Sequence, residues 1–225
     1  MADLASPWTA AATVAGFAQS PPNPVLMRFA EAERMRSGRH AALDIGCGAA
    51  RNAAPLAALG WRVLGVDTSE PMLACARARV AGDEGGATRP VYARATMDAL
   101  PVADGSVDLI VAHGIWNLAE SAARFRRAVR EAARAAAPGA ALFVFTFSRH
   151  TLPSDARPVP GERFVFTQFS GQPQCFLTAD ELTAEMAAAG FDADAGVPVT
   201  EYNRRAPGVM SVGAPVIYEA AFRHR

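Results

Sequence analysis

Apolar residues recur along this chain in short runs separated by stretches with helical spacing, and that alternation sets the predicted elements. Residues 41–45, 62–67, 91–95, 107–112 and 140–148 read as five strands, with helices at 50–59, 71–80 and 121–136. Pro71 sits near the start of its helix, where a missing N–H does no harm. In 121–136, Phe125 and Val129 fall inward and Arg124, Arg126, Arg127, Arg130 and Arg134 outward, which is the pattern of a solvated helix face. The run Gly82-Asp83-Glu84-Gly85-Gly86 reads as a loop.

Upstream, residues 2–20 form a mildly apolar helical segment stopped by Ser20-Pro21-Pro22-Asn23-Pro24. Residues 25–36 follow as an amphipathic helix expected to bury Leu26, Phe29, Ala30 and Met35. Downstream, Thr178 caps a helix over 178–189, Glu181 closes a capping box and Gly190 stops it. Residues 198–202 and 216–222 supply the last two strands. Strands alternating with helices imply right-handed parallel crossovers, so the predicted fold class is α/β, a doubly wound, mostly parallel sheet with helices on both faces.

The length fits a single domain over 1–225, with 1–38 as a helical N-terminal cap. Pro153, Pro158, Pro160 and Pro173 break up residues 149–176, yet Arg163 to Phe169 alternates like a strand. This segment reads either as a lid-like insertion over the site or as an edge hairpin without substrate contact. The 22 basic and 22 acidic residues give a formal net charge of +0. Such balance provides no field to gather phosphates, so no nucleic-acid partner is expected. No apolar run reaches membrane-spanning length and no secretory leader is recognisable, so neither membrane insertion nor export is expected. Cys47, Cys75 and Cys175 are odd in number and lack metal-ligand spacing with the histidines, as for reduced thiols of a cytoplasmic protein without a metal. Arginine and alanine far outweigh lysine, which suggests a GC-rich bacterial source.

The chemistry concentrates in Leu43-Asp44-Ile45-Gly46-Cys47-Gly48-Ala49-Ala50-Arg51-Asn52 and in Gly65-Val66-Asp67. An apolar strand, a glycine turn into a helix and a second strand ending on an acid bring backbone N–H groups to a ligand, with Asp67 placed to accept from two ribose hydroxyls. A dinucleotide fingerprint requires a third glycine where Arg51 stands, and Asp44 beside the turn would repel a pyrophosphate. The acid suits the cationic amino-acid end of S-adenosylmethionine (SAM). A nicotinamide oxidoreductase is thereby disfavoured.

Asp44-Ile45-Gly46-Cys47-Gly48 resembles the first motif of class I SAM-dependent methyltransferases, and three later blocks follow in that superfamily's order. Asp67-Thr68-Ser69-Glu70-Pro71-Met72-Leu73 is similar to the ribose block. Residues 99–111, from Ala-Leu-Pro to Leu-Ile-Val, are similar to the block entering the fourth strand, and Ala136-Ala137-Pro138-Gly139 to the turn before the fifth. Arg51-Asn52 with Pro55-Leu56-Ala57-Ala58-Leu59-Gly60 resembles tellurite-resistance and thiopurine-type enzymes. The resemblance implies strand order 3-2-1-4-5-7-6 with the seventh antiparallel, SAM as cofactor and S-adenosylhomocysteine as product. It further implies that Asp44, Gly46, Cys47 and Gly48 serve the methionine end, Asp67 and Thr68 the ribose, and Met72 and Met97 the adenine faces. The usual adenine-side acid is replaced by Thr96, so either Asp98 bends round to the adenine or Thr96 and a backbone N–H do that work.

For the acceptor, the resemblance leads to His113-Gly114-Ile115-Trp116-Asn117-Leu118. Relatives often carry a histidine near the position of Asn117, whereas here it comes earlier, at His113. That residue reads as a base, as an orienting partner, or as a contact to the cofactor's methionine portion. Asn117 would offer an amide, Trp116 an aromatic wall or core packing, and Phe17, Phe169 and Tyr202, with Trp8 and Cys175, a cover for a small flat substrate. The expected activity is methyl transfer to a small molecule, with a SAM-binding regulatory or scaffold domain as the alternative. Oligomeric state and the accepting atom are not legible.

Overall fold

A computed structural model describes residues 7–81, 89–204 and 214–225, so the predicted loop at 82–86 lies outside the described residues. Helices α1 (Ala11–Gln19) and α2 (Pro24–Ser37) lead into β1 (Ala41–Ile45), α3 (Ala53–Ala58), β2 (Arg62–Asp67), α4 (Glu70–Ala81) and β3 (Val91–Arg94). The chain continues through β4 (Val107–His113), α5 (Ala122–Ala135) and β5 (Ala136–Phe147). A small hairpin, β6 (Val165–Phe166) and β7 (Gln174–Cys175), precedes α6 (Ala179–Ala188), β8 (Phe191–Ala193), β9 (Thr200–Tyr202) and β10 (Ile217–His224).

The sheet runs β3-β2-β1-β4-β5-β10-β8, with β9 pairing β10 as well. The first five positions are parallel and β10 is antiparallel to β5. This is the expected order, with one correction: the edge beyond β10 is shared by β8 and β9, and the sequence reading missed β8. Three residues after a helix stop are too few to show an alternating pattern. The central strands are apolar on both sides, as a parallel sheet covered by helices requires. One face packs Phe125, Val129, Leu182 and Met186 against the sheet, and the other Leu26, Phe29, Leu56 and Leu73.

Local chemistry explains most boundaries. Asn23 Oδ1 accepts from the N–H groups of Val25 and Leu26, both at 2.9 Å, and Pro24 starts α2. Thr178 and Glu181 form the expected capping box on α6, and Gly190 follows it with φ 94°. Helix α3 begins three residues later than the pattern predicts because Gly46, Gly48 and Ala50 all take positive φ. Met35 is a correction: it is 84% exposed. The buried stripe of α2 runs Leu26, Phe29, Ala30 and Glu33, and Met35 lies off that face. Glu33 occupies the inward position by pairing with Arg36 and Arg223. The outward arginines of α5 are engaged as a solvated face, Arg126 with Glu185, Arg127 with Asp98 and Arg134 with Glu131. No helix of the described residues is long and apolar enough to cross a membrane.

Candidate active site

The carboxyl ends of β1, β2 and β4 open into a cavity of about 330 Å3. Its floor is the glycine turn: the N–H groups of Gly46 and Cys47 donate to Val66 O at 2.8 and 3.0 Å, clamping the turn onto β2. Gly46 and Gly48 line the cavity with φ 70° and 51°. A Cβ on Gly46 would stand 2.8 Å from the side chain of Ile115. Gly46→Ala is therefore expected to lower the melting temperature and weaken cofactor binding, because left-handed backbone costs about 1–2 kcal/mol and Ile115 must give way. Adding Ile115→Ala should relieve the clash but not the backbone cost, which thermal melts of the single and double variants will separate.

Asp67 stands at the end of β2, its carboxylate fixed by two backbone amides. Gly48 N–H donates to Oδ2 at 3.0 Å and Ser69 N–H to Oδ1 at 2.8 Å. Each oxygen keeps a lone pair for a ligand. Thr68 lines the cavity beside it, and Ser69 Oγ donates to Trp8 O at 2.8 Å, tying the lead-in down at this point. Beneath the turn, Asp44 is 1% exposed and Oδ2 has no hydrogen-bond partner. Burial, reinforced by the charge of Asp67, pushes its carboxyl up to about 7. Asp44 is not itself among the residues that line the cavity, so a cation bound there would act on it from across the turn. Cys47, expected at the methionine end, does not line the cavity: its N–H is spent on Val66 O, its sulfur packs with Tyr92 over Gly65, and burial raises the thiol far above its ordinary range.

Apolar walls come from Met72 and Met97, 2% and 8% exposed, with Ile115 and Leu118 opposite. Thr96 lines the cavity. Asp98 does not: it is held by Arg127 at 2.5 Å and lies 3.9 Å from Arg124. Of the two adenine-side alternatives, only Thr96 is in place.

Five expected acceptor or cover residues are not brought here. Residues 116–118 form a single 3-10 turn, in which positions three apart share a face. Ile115 and Leu118 therefore look into the cavity, and Trp116 and Asn117 are turned into the protein, 1% and 2% exposed. Trp116 packs edge-on against Phe125 at 6.1 Å. Phe169 joins Phe147 and Phe176 in a separate aromatic cluster at the end of β5, and Tyr202 lies on the edge strand β9. Cys175 is buried, its thiol donating to Ala119 O at 3.3 Å. The segment 149–176 thus packs against α5 and β5 and supplies no lining residue to this cavity.

His113 does line it, at the end of β4, stacked on Phe145 with ring centroids 4.2 Å apart. Burial, with Arg51 nearby, holds the imidazole neutral down to about 4. Phe17 and Trp8, in edge contact at 5.8 Å, close the opposite side. Arg51 Nε donates to Pro21 O at 2.6 Å, fastening the lead-in. Sequence reasoning missed Asn23 and Glu219, which back His113, although a glutamate inside an apolar strand was a visible signal. It also missed the lining roles of Ile115, Leu118, Glu120 and Arg124, which carry no motif. No group of residues suited to hold a metal ion is found among the described residues.

A cradle for a diol, a buried acid beneath the glycine turn and apolar walls for a base suit SAM. Comparison with known proteins agrees. Residues 43–144 match the Methyltransferase domain family. The ubiquinone biosynthesis O-methyltransferase of Azorhizobium caulinodans is 31% identical over 153 residues, which cover 67% of this chain and 58% of that relative's length. A SAM-dependent methyltransferase from Methanosarcina mazei superposes with a TM-score of 0.67 at 17% identity, covering 91% of this chain and 99% of that one. The 1,6-didemethyltoxoflavin-N1-methyltransferase of Burkholderia thailandensis, solved with its substrate and S-adenosylhomocysteine, superposes with a TM-score of 0.63 at 19% identity over 88% of this chain and 77% of its own. With the cradle, the sheet order and the motif blocks in agreement, residues 43–144 form a methyltransferase domain in a chain with the class I SAM-dependent methyltransferase fold.

Proposed function

We propose that this protein transfers a methyl group from SAM to a small, flat acceptor seated between His113 and the Trp8–Phe17 pair. The observation that carries the reading is the doubly clamped Asp67 carboxylate at the rim of a cavity whose far end is His113. Bound SAM would supply an electrophilic methyl carbon, its old C–S electron pair returning to sulfur as the acceptor's lone pair forms the new bond. The chain's own part is to align the two reactants and exclude water, an effect that can supply roughly 7–11 kcal/mol. Asp67 and Thr68 hold the ribose, Asp44 and the Gly46–Gly48 turn the methionine end, and Met72 and Met97 the adenine. The lead-in acts as the cap. The aromatic lining and the modest cavity favour an acceptor on the scale of the 1,6-didemethyltoxoflavin bound in the Burkholderia thailandensis enzyme.

Thermal melting with S-adenosylhomocysteine tests the cofactor half. At a hundred times its dissociation constant the ligand should add about 2.7 kcal/mol, which raises the melting temperature by roughly 5–10 °C. No shift at saturation would overturn the reading. A panel of phenols, thiols and N-heterocycles, scored by release of S-adenosylhomocysteine, then tests the acceptor half; cofactor binding without turnover across that panel would favour a sensing domain.

A further inference from the structure

His113, Phe145 and Glu219 occupy directly opposed positions on β4, β5 and β10, forming one row across the sheet. Asn23, at the junction of the lead-in and α2, spans that row. Its Nδ2 donates to Glu219 Oε1 at 2.5 Å and lies 3.2 Å from His113 Nε2. Asn23 and Glu219 are 3% and 7% exposed. The direction of the amide is not free. Asn23 Oδ1 already accepts from the N–H groups of Val25 and Leu26, so a flipped amide would set NH2 against two donors. An NH2 group donates only, hence His113 Nε2 must be the acceptor and the ring proton must sit on Nδ1. Asn23 N–H in turn donates to Asn52 Oδ1 at 3.1 Å, joining the same residue to the helix that follows the glycine turn.

We propose that Asn23 is a positioning residue that locks His113 as the neutral Nδ1–H tautomer with its Nε2 lone pair already used, so that His113 shapes the acceptor site and takes no proton from the acceptor. This rests on the reading of His113 as the acceptor end of the cavity. The charged groups around the ring agree with a neutral state. Arg51 opposes a proton on it, and Glu219 Oε1 accepts from Asn23 rather than from the ring. An acceptor of this enzyme then presents its lone pair without help from His113, shedding any proton to water. Because Asn23 also ends the segment that carries Trp8 and Phe17 over the cavity, the seating of the cap and the state of His113 are set by one side chain.

Long-range 1H–15N spectra of the full-length protein, with His113 assigned by its loss in His113→Gln, read the tautomer directly. Wild type should show a protonated Nδ1 and a bare Nε2, with and without S-adenosylhomocysteine. Asn23→Ser keeps a capping oxygen for α2 but removes the amide donor, and should leave His113 as a mixture of tautomers. Glu219→Gln keeps an acceptor for Asn23 and should retain the wild-type signature. A protonated Nε2 in wild type overturns the proposal, as does an unchanged tautomer in Asn23→Ser. The wild-type spectrum decides even if a variant fails to fold. The melting shift with S-adenosylhomocysteine is a separate readout, so failure of the lock and failure of the methyltransferase reading are distinguishable.

Discussion

Asp67→Ala should weaken S-adenosylhomocysteine binding by roughly a hundredfold or more, the loss expected when hydrogen bonds to a charged carboxylate, about 1.5–3 kcal/mol each, are removed from two ribose hydroxyls. Some loss of stability should accompany it, because the N–H groups of Gly48 and Ser69 both give up their acceptor. Asp67→Asn is expected to be nearly as damaging. Both oxygens of the acid are held by backbone donors, so one donor must face the new NH2 whichever way the amide turns. Calorimetric titration of the three proteins is the check. Affinity of Asp67→Ala within threefold of wild type would remove this carboxylate from the cofactor site.

A second large effect is expected from Asp44, through pH. Its carboxyl is raised to about 7 in the folded chain, against an ordinary value near 3.8. Between those two values the folded state holds a proton that the unfolded state has released, so this group's contribution to stability falls as pH rises through that window. The full penalty, on the order of 4 kcal/mol for a group so deeply buried, is reached above pH 7. His113 works in the opposite sense. Its pKa is lowered to about 4, so its contribution rises with pH between about 4 and the ordinary 6.5. The two slopes largely cancel in wild type, and the difference between wild type and Asp44→Asn isolates the acid: the variant should gain stability relative to wild type as pH rises from 5 to 8. The ammonium group that SAM and S-adenosylhomocysteine share favours the ionised carboxylate. Affinity for S-adenosylhomocysteine should therefore climb from pH 5.5 to 7 and then level off, and below 7 binding should release a proton, measurable by calorimetry in buffers of different ionisation enthalpy. Equal affinity across that range in wild type would sink the argument.

The cofactor half of the site was legible because its chemistry is backbone chemistry. A turn with glycines at fixed offsets and an acid at the end of the next strand can be read in one dimension, and Gly46, Gly48 and Asp67 line one cavity, with Asp44 buried beneath the turn. Acceptor-side residues were read less well for a geometric reason. A single 3-10 turn decides which of residues 115–118 face the cavity, and nothing in the order Ile-Trp-Asn-Leu announces its phase. Phe169 and Tyr202 were drawn toward the site by aromatic character alone, yet aromatic surface is equally well satisfied by other rings, as Phe147 and Phe176 show. Asn23 had a local signature as a cap before Pro24, but its second role depends on a strand almost two hundred residues away. Such a pairing is set by topology rather than by pattern.

The divided sheet edge bears on how this chain behaves in a crowded solution. Strands β8 and β9 bond to opposite ends of β10 and contribute three residues each, with Asp194 and Val197 bonding to Ala221 in the gap between them. An outer row of free N–H and C=O groups is a template for another chain, and the hazard grows with the length of the uninterrupted row. Here the row is broken near its middle by Gly196 and Pro198, and the opposite edge, β3, offers only four residues. Short and interrupted borders of this kind resist recruitment into intermolecular sheet, so aggregation on heating should be governed by loss of the core rather than by docking of native edges.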